Sequence, residues 1–195
     1  RHIIQLGTTG VYVIYDELEG KEAVTWSYLL HTVELPMEIQ ELPDEVKVTG
    51  KNKAGGISVA HLFSSAKTEQ AIVDTFFCAP TNWKNVTNAQ GKAVKYPNHW
   101  HFTATSEKAQ VYRFATIINT HALKYPAKDP EILSDGRIKV GGWLISVNLK
   151  SDGAPSFFIR STQEKVNITY KGEATVINED GYETVMRDTV PELEI

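Results

Sequence analysis

The sequence predicts an all-β fold, an antiparallel two-sheet β-sandwich of many short strands, as a single domain over residues 1–195. Three observations predict it. Runs rich in Val, Ile, Tyr, Phe, Trp and Thr recur, and Gly, Asp and Asn turns separate them every ~8–12 residues in the C-terminal part. No stretch carries a sustained helical apolar stripe, and the one candidate, Ser64 to Ala71, is too short to matter. The chain has 195 residues, 42% of them hydrophobic, which is enough for a real core.

Taken in order, Arg1 to Leu6 reads as a short strand before a turn at Gly7–Gly10. Val11 to Leu18 follows. Its first part, Val11 to Tyr15, is apolar on both faces, as in a strand covered on both sides. Glu19-Gly20-Lys21-Glu22 then leads into Ala23–Val33, where Val24, Trp26, Tyr28 and Leu30 share a face. Two strand-like runs around one Gly predict a hairpin. Met37 to Leu42, bracketed by Pro36 and Pro43, is an edge strand or loop. Glu45–Thr49, Ile57–Phe63 and Ala71–Cys78 are further strands, and Gly50–Gly56 is a flexible turn.

Ala79 to Asn98 is the longest irregular region, of a length often tied to function. His99 to Thr105 resumes strand alternation. Val111 to Asn119 reads as a long buried strand, and Tyr125 to Asp135 as a connecting loop. Short strands at Ile138–Val140, Trp143–Leu149, Ser156–Arg160, Val166–Tyr170, Ala174–Ile177 and Tyr182–Met186 complete the chain. Gly141-Gly142, Asp152-Gly153, Lys171-Gly172 and Asp180-Gly181 supply their turns.

Charge and composition exclude several function classes. The formal net charge is −4, whereas phosphate contacts need a Lys and Arg excess, so no nucleic-acid partner is expected. Cys78, the only cysteine, rules out a disulfide framework and a Cys-based zinc site within the chain, and it reads as a small buried hydrophobe. No apolar run reaches the ~18–20 residues of a membrane span. The chain opens in a strand without an initiator Met, and so reads as a fragment of something longer, cut before a strand.

Candidate site residues are few. His99 and His101 lie at i and i+2, which points both imidazoles the same way and makes them weak candidates for a shared metal ion. No Asp or Glu in that strand offers a third ligand, so no metal site is assigned. His61, among Ile57, Val59 and Phe63, reads as a hydrogen-bonded core histidine. His31, on a mixed face beside Glu34, could titrate usefully or serve structure alone. Asp16, Glu17 and Glu19 read as turn and rim residues rather than a glycosidase pair. No phosphate-cradling glycine motif is present, no catalytic set can be assembled, and no cofactor is implied. The aromatics offer a binding hypothesis. Trp83 in the long loop, with Asn85 and Trp100, suits a sugar, which stacks on flat rings and hydrogen-bonds to Asn. An autonomous carbohydrate-binding module is therefore the alternative reading. Asn85-Val-Thr87 and Asn167-Ile-Thr169 match the glycosylation pattern, which is common by chance.

Tyr12-Val-Ile-Tyr-Asp-Glu-Leu18 followed by Val24-Thr-Trp-Ser-Tyr-Leu-Leu-His31 resembles the segment that begins the C-terminal β-sandwich of heparinase II/III-like polysaccharide lyases. Trp100–Ala104, Tyr112–Ile117 and Gly142–Ile145 resemble later strands of that region. The resemblance implies a parent with an N-terminal α-helical toroid and a central sheet region. Such a parent cleaves uronate-containing polysaccharide by β-elimination and is periplasmic or secreted. It also implies that the catalytic and metal residues lie before this segment. None can be carried onto this chain, which is expected to support the toroid and be inactive alone.

Overall fold

A computed structural model of the chain describes residues 1–33, 35–74, 87–92, 99–122, 124 and 129–187. These form strands β1 (His2–Leu6), β2 (Val11–Val24), β3 (Ser27–Val33), β4 (Glu38–Glu41), β5 (Val46–Lys51), β6 (Gly56–Ser64), β7 (Thr68–Val73) and β8 (His99–Ser106). The second half adds β9 (Ala109–Ala122), β10 (Glu131–Ile132), β11 (Ile138–Val140), β12 (Trp143–Val147), β13 (Ser156–Ser161), β14 (Val166–Lys171), β15 (Ala174–Glu179) and β16 (Tyr182–Arg187). The fold is all-β and every strand pairing is antiparallel.

The strands make three sheets, and the sandwich has a third layer beyond the two expected. A six-stranded sheet runs β1-β2-β9-β6-β5-β4, a seven-stranded sheet β10 through β16 in chain order, and a three-stranded sheet β3-β8-β7. The six-stranded sheet lies in the middle, because its two faces feed two separate cores. Val13, Tyr15, Ala115 and Ile117 on one face pack with Trp143, Ile145, Phe157, Ile159 and Tyr170 of the seven-stranded sheet. Val48, Leu62, Tyr112 and Phe114 on the other pack with Tyr28, Phe102 and Ala104 of the three-stranded sheet. A strand buried on both faces cannot alternate with polar residues, which is why Val11 to Tyr15 is continuously apolar.

The hairpin expected around Gly20 does not form. β2 continues through Glu19–Glu22, with a register irregularity against β9 between Glu19 and Val24. β3 pairs instead with β8, Ser27 facing Thr105 and His31 facing His101. A bulge lets a strand bend and leave its sheet, and Trp26 fixes the corner. Its indole Nε1–H donates to the Ala109 carbonyl at 2.9 Å, and its backbone N–H donates to Ser106 Oγ at 2.9 Å. Gly20 is needed for close approach, not for a turn. A Cβ there would sit 2.9 Å from the Glu22 carbonyl oxygen and 3.4 Å from the Trp26 ring.

The seven-stranded meander follows the sequence reading closely. Its last turn is Asp180-Gly181 between paired Glu179 and Tyr182, with φ of 48° and 89°. Two consecutive left-handed residues define the type I′ hairpin turn, which Asp-Gly favours. β7 begins at Thr68 rather than Ala71, the expected loop before β11 contains the short β10, and Cys78 lies outside the described residues.

Ile145 is fully buried where the seven-stranded sheet meets the central one. Ile145→Ala should cost about 3 kcal/mol of unfolding free energy, within the usual range for a core truncation, read as a lower urea midpoint at unchanged slope.

Candidate functional site

Ionisable groups of two layers converge at one end of the larger core. Arg113 of β9 and Glu17 of β2 are cross-strand partners on the face toward the seven-stranded sheet. Buried Arg113 donates to the carbonyls of Asn148, Lys150 and Gly153 in the β12–β13 connection. Tyr15 donates its hydroxyl to the Asn148 carbonyl at 2.9 Å, and Tyr170 donates to Glu17 Oε1 at 2.5 Å. Phe157 stacks on Tyr170 with centroids 5.4 Å apart, and the His2 ring lies 4.1 Å from Tyr170. Burial pushes the Tyr15 hydroxyl above its ordinary pKa, so it stays a neutral donor. These groups direct their hydrogen bonds at backbone carbonyls and at one another, so the cluster is a lock between sheets.

Other interior charges are also paired. Arg1 holds Asp16 by two hydrogen bonds of 2.6 and 2.9 Å, and that bonding raises the guanidinium pKa further. His61, expected as a hydrogen-bonded core histidine, is one. Its Nδ1 is 2.9 Å from Glu45 Oε2, and its Nε2 is 3.6 Å from Asp129 Oδ1. The two carboxylates brace opposite sides of the ring. Asp129 lies below the usual carboxylate range, chiefly through its hydrogen bond with Lys47. A hollow of about 630 Å³ beside β5 and β6 is rimmed by Glu41, Asp44 and Glu45. Glu41 there is 3.8 Å from Lys67, and Glu45 is taken by His61.

His99 and His101 occupy one face of β8, as their spacing requires, and His101 meets a histidine of β3. His101 Nδ1 is 3.2 Å from His31 Nε2, and the rings meet edge to face at 4.4 Å. Neutral imidazoles in that geometry share one hydrogen bond; two imidazolium rings would repel. Burial first, then the His31 and His99 rings, hold His101 below the usual imidazole value. Among the described residues no group of three or more His, Cys, Asp or Glu is placed to hold a metal ion.

Of the expected glycan contacts, Trp83 and Asn85 lie outside the described residues. Trp100 is half-buried, and its ring packs against the core between the central and three-stranded sheets. The residue that sequence reading passed over is Phe158. Phe157 and Phe158 are adjacent in β13, so alternation must turn one of them outward. Phe157 is buried and Phe158 is 38% exposed, beside a shallow depression of about 700 Å³. Neither a protein-family model nor a curated protein sequence matches the chain.

Arg113→Ala removes the guanidinium from the Lys150 and Gly153 carbonyls, and from the Asn148 carbonyl that Tyr15 also serves, and should cost about 3 kcal/mol, the scale for breaking a buried charged network. Arg113→Lys should recover only part of that, since one ammonium cannot span the fork; urea unfolding of both variants checks it.

The His101 contribution to stability is full above the unfolded imidazole value of about 6.5 and is lost as pH falls through the lower folded value. Thermal melts from about pH 7 to about pH 5 should show a falling Tm, and His101→Gln should flatten that slope.

Proposed function

We propose that this chain is a non-catalytic scaffold, the C-terminal β-sandwich of a parent similar to heparinase II/III-like polysaccharide lyases. In this reading the bond-breaking groups lie in an N-terminal toroid and a central sheet of the same polypeptide. The parent eliminates across uronate linkages in the periplasm or outside the cell. This chain supports the toroid and borders its substrate cleft.

One observation carries the reading: the buried or half-buried acidic and basic groups are engaged in tying strands together, Arg113 and Glu17 between sheets and Asp16 and His61 within the central sheet. Arg113 caps the β12–β13 connection, Glu17 receives Tyr170, Arg1 holds Asp16, and Glu45 holds His61. A general base needs a free proton-accepting atom within reach of substrate, and these acceptors are already engaged. The residues that carry the resemblance support the same role. Tyr15, Tyr28, Phe102, Phe114 and Ile145 are buried, so the likeness concerns layer packing rather than chemistry.

The test is direct. Incubated with heparan sulfate or alginate, the isolated chain should generate no absorbance from unsaturated product, and the coding region upstream of Arg1 should specify a few hundred residues of helical pattern. Turnover by the chain alone would overturn the scaffold role, and an upstream region of another kind would overturn the parentage.

A further inference from the structure

The outer face of the seven-stranded sheet carries an exposed aromatic among polar and cationic side chains. Phe158 lies at its centre, opposite Ser146 on β12 and Thr169 on β14. Along its own strand the same-face neighbours are Ser156 and Arg160. The register sets Lys171 opposite Ser156, and Asn167 and Leu144 opposite Arg160. Asn148 completes the ring, its backbone N–H bonded to the Ser156 carbonyl at 2.8 Å. An exposed aromatic is thus surrounded by eight same-face neighbours, of which two are cationic, five are hydroxyl or amide, and none is acidic.

Shape and charge narrow the ligand. The depression of about 700 Å³ beside Phe158 shares Thr169 and Lys171 with a second of about 400 Å³ that reaches Val176. The two hollows meet at Lys171, one of the two cations, and the other, Arg160, stands beyond Phe158 along the strand. Arg160 and Lys171 flank Phe158 along the strand direction, about 13 Å apart by strand rise. Both are exposed, and neither makes an ion pair among the described residues. Glu173 stands at the far rim of the smaller hollow. Glu131 and Glu183 lie at the two margins of the sheet. In a chain of net charge −4, the centre of this face is a local cationic spot. Hydroxyl and amide groups both donate and accept, which suits sugar hydroxyls. One aromatic with two spaced cations is too sparse for a nucleic-acid track, which needs repeated phosphate contacts and stacked bases.

We propose that this face binds an anionic linear oligosaccharide. A sugar ring stacks on Phe158, and carboxylate or sulfate groups on either side meet Arg160 and Lys171. This goes beyond the scaffold reading, which needs no ligand here. The two fail separately, since one is read as product formation and the other as equilibrium binding.

Calorimetry of the whole chain with hexamannuronate and with a heparan-sulfate hexasaccharide tests it. At least one should bind, and more weakly as salt is raised. Phe158→Ala should weaken binding roughly tenfold, as for a central aromatic anchor, while the chain stays folded, since the ring lies outside both cores. Arg160→Glu with Lys171→Glu should abolish binding. Leu29→Ala, at a residue 45% exposed on the three-stranded sheet, should leave it intact. Failure to bind either hexasaccharide would overturn the proposal, as would a Phe158→Ala variant that binds like the parent. Equal affinity for neutral cellohexaose or for oligodeoxythymidylate would also overturn it.

Discussion

The constraint on which the structure depends is the double burial of β2 and β9. Each runs fourteen residues, and they lie side by side at the heart of the central sheet. One of their faces closes the core against the seven-stranded sheet and the other closes the core against the three-stranded sheet. Neither outer sheet has a second apolar partner among the described residues. Burying a large aliphatic or aromatic side chain contributes roughly 1.5–3 kcal/mol, so both outer layers draw their stability from these two strands.

Burial on both faces creates a polar problem that the sequence solves in place. Asp16, Arg113, Thr116 and Asn119 all sit in β2 or β9 and are all buried. A buried charge is tolerated when its hydrogen-bonding groups are met; Asp16 is ion-paired with Arg1, and Arg113 donates to three backbone carbonyls. Arg1 reaches Asp16 from the chain start, with its guanidinium carbon 5.8 Å from the Tyr28 ring centre. Arg113 reaches the other way, into the β12–β13 connection. The central sheet is therefore tied to one neighbour through Arg1 and to the other through Arg113. A one-residue slip of β9 would turn Arg113 into the wrong core, so these ties also fix register.

The parts of the fold legible in the sequence are those decided by near neighbours. Each strand of the meander from β11 to β16 starts where the alternation starts and ends within two residues of the expected point, because each pairs with the next across a short turn. Gly141-Gly142 and Asp180-Gly181 declare their turns locally. The two-sided burial of Val11–Tyr15 was also legible, since composition reports it directly. The partner of β3 was not. Its true partner, β8, lies some seventy residues away, and the Gly20 signal that suggests a hairpin answers a different need, room for the Trp26 ring. The ties were hidden for the same reason. Nothing near Arg113 in sequence announces carbonyls at 148, 150 and 153, and the Glu45 carboxylate meets His61 only because β5 and β6 pair. The site on β13 was half legible: two consecutive phenylalanines in one strand require that one face outward, but the cations that flank Phe158 are assembled by register.

Where recognition can reside follows from how stability is distributed. Over Val11–Leu18 and Val111–Asn119 the central sheet has no free face, and a substitution on either side there disturbs a core. In the meander the inward positions, Trp143, Ile145, Phe157, Ile159 and Tyr170, do the packing. Their outward neighbours are separated from that core by the backbone itself. Such positions can change chemistry at little cost in stability, since substitutions away from packed features shift it by only about ±0.5 kcal/mol. A solvent-facing Phe gains nothing for folding from its exposure, and its placement among hydroxyls, amides and two cations calls for an explanation outside the fold. The layer that owes most of its stability to one face is therefore the one free to use its other face for binding.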